Sequence, residues 1–200
     1  MRPKTISYAL ASLDRDGLAT DTHTGAGNFT LDGALTSDGA YTADSPRHIG
    51  FYSAADNSGR TFTITGTDRF GKAMTEAVTG PNAGTVAGEK NFATVTSVAS
   101  DAATDGDVEV GTVGSAETQW VPVDRYGKYA ITLVKTTMVC EYEFQYTIDD
   151  PWGSSWDEHT ANAAAITDYD LPMTAVRIAI TGMTTGGTAT IRIVSTFTAE

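Results

Sequence analysis

"MVCEYEFQYTI", residues 138–148, alternates without a break. Met138, Cys140, Tyr142, Phe144, Tyr146 and Ile148 fall on one parity, and Val139, Glu141, Glu143, Gln145 and Thr147 on the other. Successive side chains of an extended chain point to opposite faces. The pattern therefore predicts a long strand with one apolar, buried face and one polar, wet face. Cys140 lies on the apolar parity and is expected to pack. A reactive low-pKa thiol needs cationic neighbours, which the adjacent residues do not supply.

The same pattern recurs on both sides of this stretch. "YAITLVKTT" (129–137) precedes it, while "AVRIAIT" (175–181) and "ATIRIVSTF" (189–197) read as a hairpin across "GMTTGG". Upstream, "RTFTITG" (60–66) turns at "DRFG" into "KAMTEAVTG" (72–80), and "GPNAG" (80–84) reads as a further turn. "NFATVTSVAS" (91–100) and "DVEVGTV" (107–113) come next, and "KTISYALAS" and "RHIGFYSA" are strands near the start. Threonine and valine, stiff at the first side-chain torsion, suit a pleated, half-buried surface. One short helix is expected, "EHTANAAAITD" (158–168). Short strands at regular intervals with Gly, Asp and Pro between them indicate an all-β protein of antiparallel sandwiches or barrels, a sandwich being the expectation. Strand density drops at "GSAET" (114–118), which divides the chain into two tandem sandwich or jelly-roll-like domains, 1–115 and 116–200, with one continuous sandwich as the alternative. Residues 14–46 are rich in Gly, Asp and Thr. Their few large apolar residues (Leu18, Phe29, Leu31, Leu35, Tyr41) cannot form a core of their own. This segment is expected to lie extended along a neighbouring subunit or along its own sandwich.

Charge and cysteine content exclude several functions. The net charge is -12 and no run of Lys or Arg occurs, so a phosphate backbone would be repelled and nucleic acid is not an expected partner. Cys140 is the only cysteine, so the fold cannot depend on an internal disulfide. No apolar run reaches the length of a membrane-spanning helix, and "MRPKTISYAL" does not read as a signal peptide. The chain is expected to be made in a cytoplasm and to have no membrane partner.

"DDPWGSSWDEHT" (149–160) is the stretch richest in chemistry. Asp149 or Asp150 with Asp157 or Glu158 could supply the carboxylate pair of a glycosidase, with Trp152 and Trp156 stacked on sugar. A connecting loop explains more. Two acids end the long strand, Pro151 and Gly153 suit a turn, and Asp157 or Thr160 could cap a helix turn after it. His23, His48 and His159 are far apart and lack metal-ligand spacing. "DAATDGDVE" (101–109) lacks the ligand register of a calcium loop. No "GxSxG" occurs, and neither "GAGN" (25–28) nor "GPNAG" joins a strand to a helix as a phosphate loop does. No catalytic, cofactor or metal residue is assigned. Trp120, Trp152, Trp156, Tyr126 and Phe70 lie at or near turns and are candidate surface aromatics for a carbohydrate-binding or receptor-binding module, the three tryptophans foremost.

Two long strings resemble modules of virion structural proteins of tailed bacteriophages. The first is "TFTITGTDRFGKAMTEAVTGPNAGTVAGEKNFATVTSVASDAATDGDVEVG" (61–111). The second runs from "QWVPVDRYGKYAITLVKTTMVCEYEFQYTIDDPW" through "SSWDEHT" to "MTAVRIAITGMTTGGTATIRIVS". The resemblance implies a non-enzymatic β-sandwich subunit of the head-decoration, collar or tail-appendage type. Such a subunit resides in the virion and binds major capsid or tail subunits. It also implies a homo-oligomer, with a trimer suited to a capsid-surface site. It brings no catalytic residues and no cofactor.

Overall fold

The computed structural model describes residues 4–20, 25–123, 128–147, 159–161, 165–166 and 174–196. Among them all regular structure is strand, and every strand pairing is antiparallel. The all-β sandwich expected from the alternation is what forms. In chain order the strands are β1 (Lys4–Leu10), β2 (Gly27–Asn28), β3 (Thr36–Ser37), β4 (Ala40–Asp56), β5 (Thr61–Thr67), β6 (Ala73–Thr79), β7 (Asn82–Ala87) and β8 (Phe92–Ser100). After these come β9 (Glu109–Glu117), β10 (Val121–Pro122), β11 (Lys128–Thr136), β12 (Val139–Thr147), β13 (His159–Ala161), β14 (Ala165–Ile166), β15 (Ala175–Thr185) and β16 (Gly187–Thr196).

The chain forms two compact units, one of Met1–Ser12 with Glu117–Glu200 and the other of Leu13–Ala116. The second boundary falls inside the "GSAET" stretch. Residues 1–12, expected in the first domain, are grouped with the second instead. The reason is a ladder: β1 pairs along its whole length with β16, from Lys4↔Ile193 to Leu10↔Gly187.

In the discontinuous unit, β1-β16-β11-β14 form one sheet. The other holds β13-β12-β15, with β10 on the far side of β15. The Thr118 amide donates to the Ile178 carbonyl at 2.9 Å, extending the β10 edge backward. Numbered within the unit, the strands run 1-8-3-6 in one sheet and 5-4-7-2 in the other, which is the order of a jelly roll. The unit 13–116 is inserted in its first connection.

This topology corrects two expectations. β15 and β16 do not pair with each other and are no hairpin, because they belong to different sheets. Gly186 and Gly187 carry the chain across. A side chain at Gly186 would strike the backbone of Leu10 and Ser12, and one at Gly187 the Thr136 carbonyl. Alternation marks a strand but not its partner. The expected helix at 158–168 is also absent from its described part, where β13 pairs β12 and β14 pairs β11. A helix this short is marginal without packing, and strand pairing prevails.

The unit 13–116 is built round one long strand. The first part of β4 pairs β8, Tyr41↔Val95. Its later part pairs β9 on one side, Phe51↔Val110, and β7 on the other, Phe51↔Val86. Sheet order runs β9-β4-β8-β5-β6. The change of partner falls at Asp44–Arg47. Pro46 removes a ladder donor there, and buried Arg47 donates to Asp44 through Nε at 3.1 Å and Nη2 at 3.0 Å. Leu18, Phe29, Leu31, Tyr41, Ile49, Phe51, Phe62, Ile64 and Phe92 fill the core. Phe51 and Phe62 stack at 4.7 Å. Each such ring contributes roughly 1.5–3 kcal/mol by burial. Leu18, Phe29, Leu31 and Tyr41 come from the segment 14–46, so its described part lies along its own sandwich. The "GPNAG" turn is shorter than expected, because Asn82 already begins β7.

Candidate functional site

The alternation of β4 places Ile49, Phe51 and Ser53 inward, all buried, and Tyr52 and Ala54 outward. Tyr52 stands opposite Glu109 of β9 and opposite Thr85 of β7, while Gly50 stands opposite Gly111. A tyrosine thus rises from the middle of a row whose next members are glycines. Residues 13–19 run beside β9. The Thr112 amide donates to the Asp14 carbonyl at 2.8 Å, and the Leu18 amide to the Val110 carbonyl at 2.9 Å. Gly111 permits this close crossing, since a β-carbon there would strike the Asp14 and Arg15 carbonyls.

The crossing delivers Arg15 to Tyr52. Its guanidinium lies 3.7 Å from the ring centroid. Nη2 donates to Glu109 Oε1 at 3.0 Å, and Nε pairs with Oε2. Arg15 is 56 % exposed and Glu109 15 %, so water screens the pair and its main effect is to orient the guanidinium over the ring. Beside this bridge is a cleft of about 230 Å³, lined by Leu13, Gly50, Tyr52, Thr85 and Val113 among others. Against the other side of Tyr52 is a hollow of about 340 Å³ that includes Ala54, Gly106, Asp107 and Glu109. Two carboxylates sit next to the crossing. Partial burial, reinforced by a hydrogen bond and repulsion from Asp16, pushes the Asp14 carboxyl above its usual range.

The acidic loop 101–107 is held by internal bonds. The Asn57 amide group donates to Ser53 Oγ at 3.0 Å and to the Asp105 carbonyl at 3.3 Å, and its oxygen accepts the Asp105 amide at 2.8 Å. Arg60 Nε donates to the Ala103 carbonyl at 2.6 Å, and Asp101 Oδ1 accepts the Thr61 amide at 3.0 Å. These bonds make it a rigid turn. Among the described residues no three His, Cys, Asp or Glu side chains gather as a metal site.

Trp120, expected as a surface contact, is only 3 % exposed. Buried Arg177 lies over its ring at 4.6 Å. Trp152, Trp156, Asp149, Asp150, Asp157 and Glu158 lie outside the described residues. Cys140 is half-buried. Burial pushes its thiol up, and Lys135, whose Nζ donates to the Cys140 carbonyl at 2.9 Å, only partly offsets this. Arg15 and Tyr52 were not singled out from the sequence, and Glu109 figured there only as the last acid of the 101–109 turn. One signal was present: the parity of "RHIGFYSA" puts Tyr52 opposite Phe51, and that of "DVEVGTV" groups Glu109 with Gly111 and Val113.

No family model matches the chain. No curated protein matches it either. Among solved structures it aligns with the stem and receptor binding domain of the spike protein P1 from bacteriophage PM2. The identity is 9 %, covering 100 % of this chain and 81 % of that one, with a TM-score of 0.14. A superposition that loose bears on neither fold nor role.

Proposed function

We propose that this chain is a non-enzymatic structural subunit of a tailed-phage virion that acts through protein–protein contacts, with its own copies and with capsid or tail subunits. One observation carries this reading. Each of the two strings that resemble phage virion modules falls within one of the two units. Residues 61–111 span β5 to β9 of the inserted unit, and the second string spans β10 to β16 of the jelly roll. The acidic surface and the internally bonded loops suit a rigid scaffold, although a fold by itself assigns no role. Decoration of the capsid surface is the first choice within this reading, and a tail or collar position the second.

Sedimentation with separated heads and tails of the phage that encodes the chain tests this. Saturable binding to heads, at a fixed ratio of copies to capsid subunits, is the expected result. Saturable binding to tails moves the subunit to the second position. Binding to neither, or turnover of a glycan or peptide substrate by the purified chain, contradicts the reading.

A further inference from the structure

Asp16, Asp32, Asp38 and Asp105 each precede a glycine, and all four lie in the unit 13–116. Such a pair can react with itself. No β-carbon crowds the glycine nitrogen, so it can attack the side-chain carboxyl carbon of the aspartate before it. The attack needs the peptide plane between the two residues to turn, and it needs a glycine amide that no acceptor holds.

Three of the pairs are pinned. The Gly17 amide donates to the Asp14 carbonyl at 3.4 Å, and the Gly17 carbonyl accepts the Leu35 amide at 2.8 Å. The Gly33 amide donates to the Leu18 carbonyl at 3.1 Å, and Gly33 lies against the Gly17 backbone. Asp32 Oδ1 accepts the Thr20 amide at 3.3 Å and the Thr20 hydroxyl at 3.2 Å. Asn57 holds the Asp105 backbone on both sides, accepting its amide at 2.8 Å and donating to its carbonyl at 3.3 Å. Arg60 pairs with the Asp105 carboxylate at 3.5 Å.

Asp38 and Gly39 are placed differently. They are the two loop residues of the β3–β4 hairpin, whose last rung is Ser37↔Ala40. Their φ values of 53° and 74° make a type I′ turn. Both residues are exposed, and a β-carbon at Gly39 would meet nothing. The ladder bonds of a two-residue hairpin end at the flanking pair, which leaves the Gly39 amide facing solvent.

We propose that Asp38–Gly39 is a self-modification site that converts to isoaspartate while the chain is folded. The Gly39 nitrogen bonds to Asp38 Cγ, the Cγ–OH bond breaks, and the hydroxyl leaves with the amide proton as water. The cyclic imide then takes up water at either carbonyl. Addition at Cγ restores aspartate. Addition at the Asp38 main-chain carbonyl breaks its bond to the Gly39 nitrogen, and the chain thereafter runs through Cβ and Cγ. The backbone gains one carbon, and no oxidant or cofactor is consumed. Hairpin register follows loop length, so the Ser37↔Ala40 rung loosens beside buried Tyr41. This chemistry does not depend on a place in a virion.

Peptide mapping of the intact chain tests it, after prolonged incubation in mildly acidic buffer, folded and in urea side by side. Isoaspartate shows as a chromatographic shift at unchanged mass and as methyl transfer from S-adenosylmethionine by an isoaspartyl methyltransferase. In the folded chain Asp38 is expected to convert roughly tenfold or more faster than Asp16, Asp32 and Asp105, and in urea the four rates should converge. Asp38→Asn keeps the turn, since Asn-Gly favours type I′, and should convert faster still with ammonia leaving in place of water. Asp38→Glu, which would have to close a larger ring, should fall to background. Deuterium exchange at the Ala40 and Tyr41 amides should be faster in the aged chain than in the fresh one. Equal rates at the four pairs in the folded chain, another pair faster than Asp38, or parent-like conversion in Asp38→Glu overturns the proposal. Isoaspartate at residue 38 with unchanged exchange at Ala40 and Tyr41 overturns the loosening of the hairpin.

Discussion

Arg177 of β15 and Gln145 of β12 stand directly opposite one another, and Arg177 Nε donates to Gln145 Oε1 at 2.6 Å. The same guanidinium donates through Nη1 to Glu117 Oε2 at 2.5 Å. The parity of β12 that read as wet is therefore buried at its C-terminal end, where Gln145 and Thr147 join Phe144 out of solvent. Removing the cation strands a buried amide and a largely buried carboxylate. Arg177→Ala is expected to cost about 3–5 kcal/mol in urea unfolding. Arg177→Leu combined with Glu117→Leu and Gln145→Leu should recover most of that loss. Equal losses for the single and triple variants would show that the polar cluster contributes beyond its pairing.

This cluster also shows what sequence periodicity can and cannot reveal. The strands themselves were legible, because β-branched and aromatic residues alternate through "MVCEYEFQYTI", "TFTITG" and "ATIRIV". What a polar parity faces was not, since Gln145 and Arg177 are 32 residues apart and only strand pairing unites them. The discontinuous unit was hidden for the same reason. Nothing in "KTISYAL" indicates that its partner is β16. β7 was partly missed because "NAGTVA" is small and mostly exposed, with Ala83 at a φ of 46°. At the candidate site, Arg15 and Glu109 are 94 residues apart. Parity put Tyr52 on the outward face, but no local pattern announced the crossing at Gly111.

The connection from β11 to β12 is strained. Thr137 adopts a φ of 61°, a left-handed conformation that β-branched residues rarely take. Thr137→Gly should therefore raise stability by about 1 kcal/mol, read as a higher urea midpoint at unchanged slope. A loss of similar size would mean that the bond from Thr137 Oγ1 to the Thr136 carbonyl outweighs the strain.

Tyr41 is buried where β4 still pairs β8, and its phenol is pushed from 10.0 up to about 12. Burial is the main cause, with Asp44 adding to it and Arg47 opposing it. The folded state holds this proton more tightly than the unfolded chain does. The stability it contributes is complete below pH 10 and is lost as pH rises toward 12. The loss amounts to about 3 kcal/mol at most. Tyr41→Phe should flatten that alkaline decline in pH-dependent unfolding. An unchanged slope would assign the decline to other groups.

Gly111 has the backbone of Asp14 and Arg15 against it. Gly111→Ala should push residues 13–16 away from β9 at a cost of about 1–3 kcal/mol. It should also take Arg15 off the Tyr52 ring. In NMR spectra the Arg15 side-chain protons, shielded by the ring in the parent, should move to random-coil positions. Retained shielding would mean that the Arg15–Glu109 pair holds the bridge without the close crossing.

The central claim is that this chain is an assembling scaffold of a virion. An electron cryo-microscopy map of the intact phage particle tests it most directly. The account predicts density for a two-unit β subunit at symmetry-related positions on the particle. A particle of complete protein composition in which no density fits this chain would contradict it.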